Sequence, residues 1–195
     1  MTFQRTISPV DGSVYVERTL AAPAQIEAAL ENARLAQRLW RSVPMTERAA
    51  ILGRFCDAFE SRRDAIAEEL AWQMGRPIRY APNEVRGTLE RARHMIAIGP
   101  DALADIDVGR KDGFRRFLRR EPLGVVFTVA AWNYPYLIAV NSVVPALMAG
   151  NVVILKHSAQ TPLCAERFEE CLREAGLPEG AFHAMHLSHA ETERV

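Results

Sequence analysis

A chain of 195 residues with 49% hydrophobic residues is long enough to bury a substantial core in one or two domains. Lys and Arg number 24 against 24 Asp and Glu, so no global field selects nucleic acid or an anionic membrane surface. The three cysteines Cys56, Cys164 and Cys171 are odd in number and follow no zinc spacing, and no apolar run reaches membrane length, so a reducing cytoplasm is the expected compartment.

Residues 1–20 read as a hairpin, with a turn cluster at Ser8-Pro9-Val10-Asp11-Gly12 and strand-like spacing of Val14, Val16 and Thr19. A helix is predicted from Pro23 to about Leu39, with Ile26, Leu30, Ala33, Ala36 and Leu39 on one face and Trp40 and Pro44 as its stop. Thr46 reads as the N-cap of a second helix to about Arg62, whose apolar face is Ala50, Ile51, Phe55, Ala58 and Phe59. A third begins at Asp64 and is stopped by Gly75 and Pro77, and a fourth spans Asn83 to about Ile98. Residues 107–121 carry six basic and three acidic residues around a Lys111-Asp112-Gly113 turn, which fits either a basic patch or a solvated hairpin.

The least ambiguous stretch runs from Glu121 to Pro162. Val125 to Ala131 is short, apolar and rich in β-branched residues, as a buried parallel strand is. Trp132-Asn133-Tyr134-Pro135 breaks it, and Pro135 suits the first turn of a helix that runs to Met148. Pro145 inside that helix predicts a kink or break. Ala149-Gly150-Asn151 is a helix stop, Val152 to Leu155 a second strand, and Lys156 stands at its carboxyl end. Thr161-Pro162 starts another helix, ended by Gly176, and Ala181 to Leu187 reads as a third strand. His183, His186 and His189 are spaced by three, but on a strand His183 and His186 point to opposite faces, so no metal site is expected.

Pro122 to Val126, Trp132 to Pro135 and Pro145 to Lys156 together resemble the aldehyde dehydrogenase superfamily, whose P-L-G-V-V, W-N-[YF]-P and P-A-L-x-A-G-N segments match them in order. The resemblance implies an α/β chain: an N-terminal hairpin and helical layer over residues 1–106, an oligomerisation-type hairpin arm over 107–121, and the first half of a Rossmann-type NAD(P)-binding fold over 122–195. It implies that Asn133 stabilises the oxyanion formed when a thiol adds to an aldehyde. It implies that Lys156 holds the ribose of NAD or NADP. Ser158 and the backbone of Val129, Ala130, Ala131 and Trp132 then line the same groove. The expected partners are a small-molecule aldehyde and further copies of the complete chain, with no nucleic acid and no membrane.

Two departures from the family pattern carry consequences. The family's K-P-S-E segment reads Lys156-His157-Ser158-Ala159 here. Ala159 replaces the carboxylate that binds the ribose diol, so weak discrimination between the cofactors, or a preference for NADP, is expected, with His157 able to assist a phosphate if protonated. The family's glutamate base, thiol nucleophile and pyrophosphate-binding turn have no counterpart among these residues. The chain therefore reads as an N-terminal portion, inactive alone. The alternatives are an interaction module, an inert remnant, or part of a CoA-acylating relative.

Overall fold

The computed structural model describes residues 2–195. An antiparallel hairpin of β1 (Phe3–Ile7) and β2 (Val14–Thr19) is followed by four helices: α1 (Pro23–Trp40), α2 (Met45–Ser61), α3 (Arg63–Met74) and α4 (Ala81–Ala102). An exposed ribbon, β3 (Ile106–Asp107) with β4 (Phe117–Leu118), leads to β5 (Val125–Ala130), α5 (Pro135–Met148) and β6 (Val152–His157). Then come α6 (Leu163–Glu174), β7 (Phe182–Ala184) and α7 (His189–Arg194).

Strands β5, β6 and β7 form one parallel sheet in that order, with Val125 opposite Val152 and Val153 opposite Phe182. Two successive crossovers in the same direction place α5 and α6 on one face, and α1 covers all three strands from the other. Both faces of β6 are thus covered, and all six of its residues are buried. Helix α2 packs on α5 and α6, so the first helices and the sheet share one core. Its centre is aromatic: Phe168 of α6 lies 5.7 Å from Phe55, 5.9 Å from Phe59 and 5.8 Å from Tyr136, measured between ring centres.

Helix α5 ends where the sequence predicts, because Gly150 takes a positive φ of 86° that a side chain disfavours. Asn151 then ties two strands: its Oδ1 accepts from the Gly124 N–H at 2.9 Å at the start of β5, and its Nδ2 donates back to the Ala146 carbonyl at 3.2 Å.

Several expectations are corrected. Leu39 is 72% exposed and Trp40 is buried instead, because the inward stripe follows Ile26, Ala33, Ala36 and Trp40. Trp40 is the last helical residue rather than a stop, and its Nε1 donates to the Leu147 carbonyl at 3.0 Å. Thr46 does not cap α2; Pro44 flanks a helix that already starts at Met45. Ala50 faces out, and Leu52 and Cys56 complete the buried face. Helix α4 is longer at both ends, since Pro82 falls in the first turn, where backbone N–H groups lack intrahelical partners anyway. Pro145 does not break α5: it lies in the last turn, where one forgone bond is tolerable. Strand β7 is only three residues long. The chain leaves the ladder at His186, whose carbonyl accepts from the Ala21 N–H at 2.9 Å and whose ring turns to Glu166.

Candidate functional site

The carboxyl ends of β5 and β6 lie side by side, with Val129 opposite Lys156 and Ala130 opposite His157. Residues Ala131 to Tyr134 are all exposed and carry the chain from β5 into the N-terminus of α5. Open parallel sheets bind ligands at this edge.

Lys156 is only 8% exposed, and its ammonium has neither a carboxylate nor a hydrogen-bond partner among the described residues and is not one of the buried unpartnered atoms, so it reaches solvent. Burial lowers its pKa from the ordinary lysine value. Val129 beside it is 56% exposed. Ser158 Oγ accepts from the Gln160 N–H at 3.2 Å, and the Ala159 carbonyl accepts from Thr6 Oγ1 at 2.7 Å. Gln160 does not stand in for the missing glutamate: its amide donates to the Gln73 carbonyl on α3.

His157 cannot serve a phosphate, which corrects the sequence expectation. Its ring is buried, with Nδ1 accepting from the Ser158 N–H at 3.0 Å and Nε2 against the Pro135 carbonyl at 3.1 Å. Since Nδ1 accepts a backbone N–H, the proton sits on Nε2 and is donated to Pro135. Burial, with only partial opposition from that bond, lowers the pKa to about 4. The neutral imidazole fastens the end of β6 to the start of α5.

Asn133 is exposed, and its side chain makes no hydrogen bond to the described residues. Its carbonyl accepts from Arg76 Nη2 at 2.8 Å, and the Arg76 guanidinium lies 4.9 Å from the centre of the Tyr134 ring. Arg76 is in turn paired with Glu84, whose side chain is only 1% exposed and whose Oε1 accepts from the Leu137 N–H at 3.1 Å. Sequence reasoning missed this pair, treating Gly75 and Pro77 only as a helix stop. The available signal was Glu84 itself, a charge inside the buried stripe of Ala81, Val85, Thr88 and Ala92.

The three thiols are poor nucleophiles, being buried in the core, where burial pushes Cys56 and Cys171 up to about 11. His186 bonds Glu166 at 2.9 Å, His189 begins α7, and His183 lies on β7 with its Nε2 buried and unpartnered. Among the described residues no three His, Cys, Asp or Glu side chains gather as metal ligands. Nor is any described helix long and apolar enough to cross a membrane.

A three-stranded parallel sheet covered by helices on both faces, with Lys156 and Asn133 at its carboxyl edge, defines the class as an open α/β fold. The particular family follows from comparison: the model of the aldehyde dehydrogenase family matches residues 2–195, and the chain belongs to that family. It is 33% identical over 190 residues to a succinate-semialdehyde dehydrogenase [NADP(+)] of Deinococcus radiodurans, covering 97% of this chain and 40% of that protein. A probable succinate-semialdehyde dehydrogenase [NADP(+)] of Synechocystis is 35% identical over 182 residues, covering 92% of this chain and 39% of that protein. Among solved structures, succinic semialdehyde dehydrogenase from Streptococcus pyogenes in complex with NADP+ superimposes with a TM-score of 0.90 at 26% identity, covering 98% of this chain and 42% of that one. An NAD-dependent benzaldehyde dehydrogenase from Corynebacterium glutamicum gives a TM-score of 0.89 at 29% identity, covering 97% and 41%. The chain thus corresponds to an N-terminal portion of an aldehyde dehydrogenase and spans about two fifths of the curated relatives it matches.

Proposed function

We propose that the complete protein containing this chain oxidises an aldehyde to a carboxylic acid with NAD or NADP, through a thioester on a cysteine outside these residues. The observation that carries the reading is that a free Asn133 amide and an unpaired Lys156 both stand at the carboxyl edge of the one parallel sheet. When a thiolate adds to an aldehyde, the carbonyl electron pair moves onto oxygen, and the Asn133 NH2 donates to that oxyanion without adding charge of its own. The nicotinamide supplies a hydride acceptor for the tetrahedral carbon. Lys156 fits the cofactor's ribose because its ammonium has no competing partner in the fold. Ser158 and the backbone of Val129 to Trp132 complete the groove. Residues 107–121 form the arm that pairs with another subunit, since they are exposed throughout and present Phe114 and Phe117 outward.

For cofactor choice, NADP is accepted at least as well as NAD. Ala159 offers no carboxylate to bind the 2′-hydroxyl or repel a 2′-phosphate, and Gln160 is engaged with α3. The relatives whose names specify NADP(+) support this. The test is kcat/KM for both cofactors with succinic semialdehyde and benzaldehyde, in the complete enzyme and its Ala159→Glu variant. The variant should shift the ratio toward NAD by about 5- to 100-fold, through one or two hydrogen bonds gained and a like charge introduced. An unchanged ratio removes Ala159 as the discriminating position. Failure to oxidise any aldehyde removes the reaction itself.

A further inference from the structure

We infer that Arg76, clamped by Glu84, is a positioning residue that fixes where Asn133 presents its amide; the inference rests on the aldehyde-oxidising role proposed above. The Asn133 side chain is exposed and unpartnered, so its placement is set by the backbone of the turn that carries it. That turn is pinned at three points by one ion pair. Arg76 Nη2 holds the carbonyl of Asn133 at 2.8 Å, its guanidinium lies against the Tyr134 ring at 4.9 Å, and Glu84 Oε1 holds the Leu137 N–H at 3.1 Å in the first turn of α5. The carboxylate therefore reaches α5 directly and the turn through Arg76.

Three features mark the pair as more than packing. Its side chains are 14% and 1% exposed, and a buried ion pair is a poor source of stability compared with apolar residues of the same volume. The guanidinium uses separate nitrogens for Glu84 and for Asn133, a division of labour that a lysine ammonium does not reproduce with the same geometry. The bonds also converge on the backbone on both sides of one side chain, which is how a donor is preorganised for charge that develops only during reaction.

The experiment is a double-mutant cycle in the complete enzyme, with wild type, Arg76→Met, Asn133→Ala and the double variant, read as kcat and as KM for the nicotinamide cofactor. Arg76→Met should lower kcat by about 10- to 100-fold and leave the cofactor KM within about 2-fold, as a displaced donor does. The double variant should be within about 2-fold of Asn133→Ala alone, because Arg76 acts through Asn133. Losses that multiply, or an unchanged kcat in Arg76→Met, overturn the inference. Should Arg76→Met fail to fold, Arg76→Lys is the second probe, and wild-type kcat there overturns it equally. Amide hydrogen exchange at Leu137 is followed in the same proteins, with Glu84→Ala added. Faster exchange is expected in all of the Arg76 and Glu84 variants. If the wild type oxidises no aldehyde, the proposed function fails while the exchange still decides the placement: unaltered protection of Leu137 in Glu84→Ala and Arg76→Lys overturns it.

Discussion

Strand β6 and the ribbon of residues 104–121 are the two extremes of this molecule. Every residue of β6 is buried, whereas every residue from 104 to 121 is exposed. Strand β6 is held by ladders on both sides and by helices on both faces. The ribbon has two paired residues on each side, one bridge between Lys111 and Phe114, and local contacts such as the Arg119–Asp105 ion pair at 2.7 Å. Tertiary burial decides the first, while turn chemistry and surface charge decide the second. The same contrast separates what the chain stabilises by burial from what it leaves on its surface.

The sharpest way to break the comparison is through the core beneath the sheet. Phe168 is fully buried and meets Phe55, Phe59, Tyr136 and Phe182, so it joins the first helices to the parallel sheet. Phe168→Ala should cost about 3–5 kcal/mol through lost burial and a residual cavity. Urea unfolding of this chain measures it, and a loss below about 1 kcal/mol would mean that the helices and the sheet do not share one cooperative core.

The next effect lies at the end of β6. The folded pKa of His157, lowered to about 4, sits below the ordinary histidine value of 6.5, so between these the unfolded chain binds the extra proton. The stability from keeping His157 neutral is complete above about pH 6.5 and is lost as pH falls toward 4, amounting to about 3 kcal/mol at most. Glu166 acts in a lower window. Burial raises it, but the bonds from His186 and Arg18 prevail and hold it to about 2, so its contribution is lost between the ordinary value of 4.5 and that point. Urea midpoints from pH 8 to 4 should fall steeply in the wild type and much less in His157→Gln. Equal slopes would remove the histidine as the cause.

The legible and illegible parts of the chain divide along the same line. The β5–α5–β6 crossover was readable because burial on both faces forces continuous apolar runs, and because Pro135 and Gly150 punctuate the helix chemically. Asn133 and Lys156 were readable as polar residues at strand ends. Leu39 and Thr46 misled because periodicity fixes a helix face only to within a residue, and because a hydroxyl near a helix start does not cap once Pro44 has set the entry. The partner choices of charged groups were invisible. Nothing in the sequence says that His157 points inward while Lys156 stays unpaired, or that Arg76 spans from Glu84 to Asn133. Those choices depend on which elements meet, and that information is long-range.

The smallest predicted effect concerns the ribbon. Phe117 is 39% exposed, and its ring is faced by Arg119 at 4.8 Å and Arg115 at 5.4 Å. These cation–π contacts lie at the surface, where each contributes about 0.5–1 kcal/mol and holds the ribbon to itself rather than to the core. Phe117→Ser should therefore change the unfolding free energy of this chain by no more than about 1 kcal/mol. In the complete protein, the proposed pairing of residues 107–121 with another subunit would lose apolar contact area on the same substitution, so the sedimentation coefficient should fall while monomer stability is kept. Unchanged association would remove Phe117 from that interface. A loss above about 2 kcal/mol in the isolated chain would show that the ribbon belongs to the cooperative core after all, and the contrast with β6 would no longer hold.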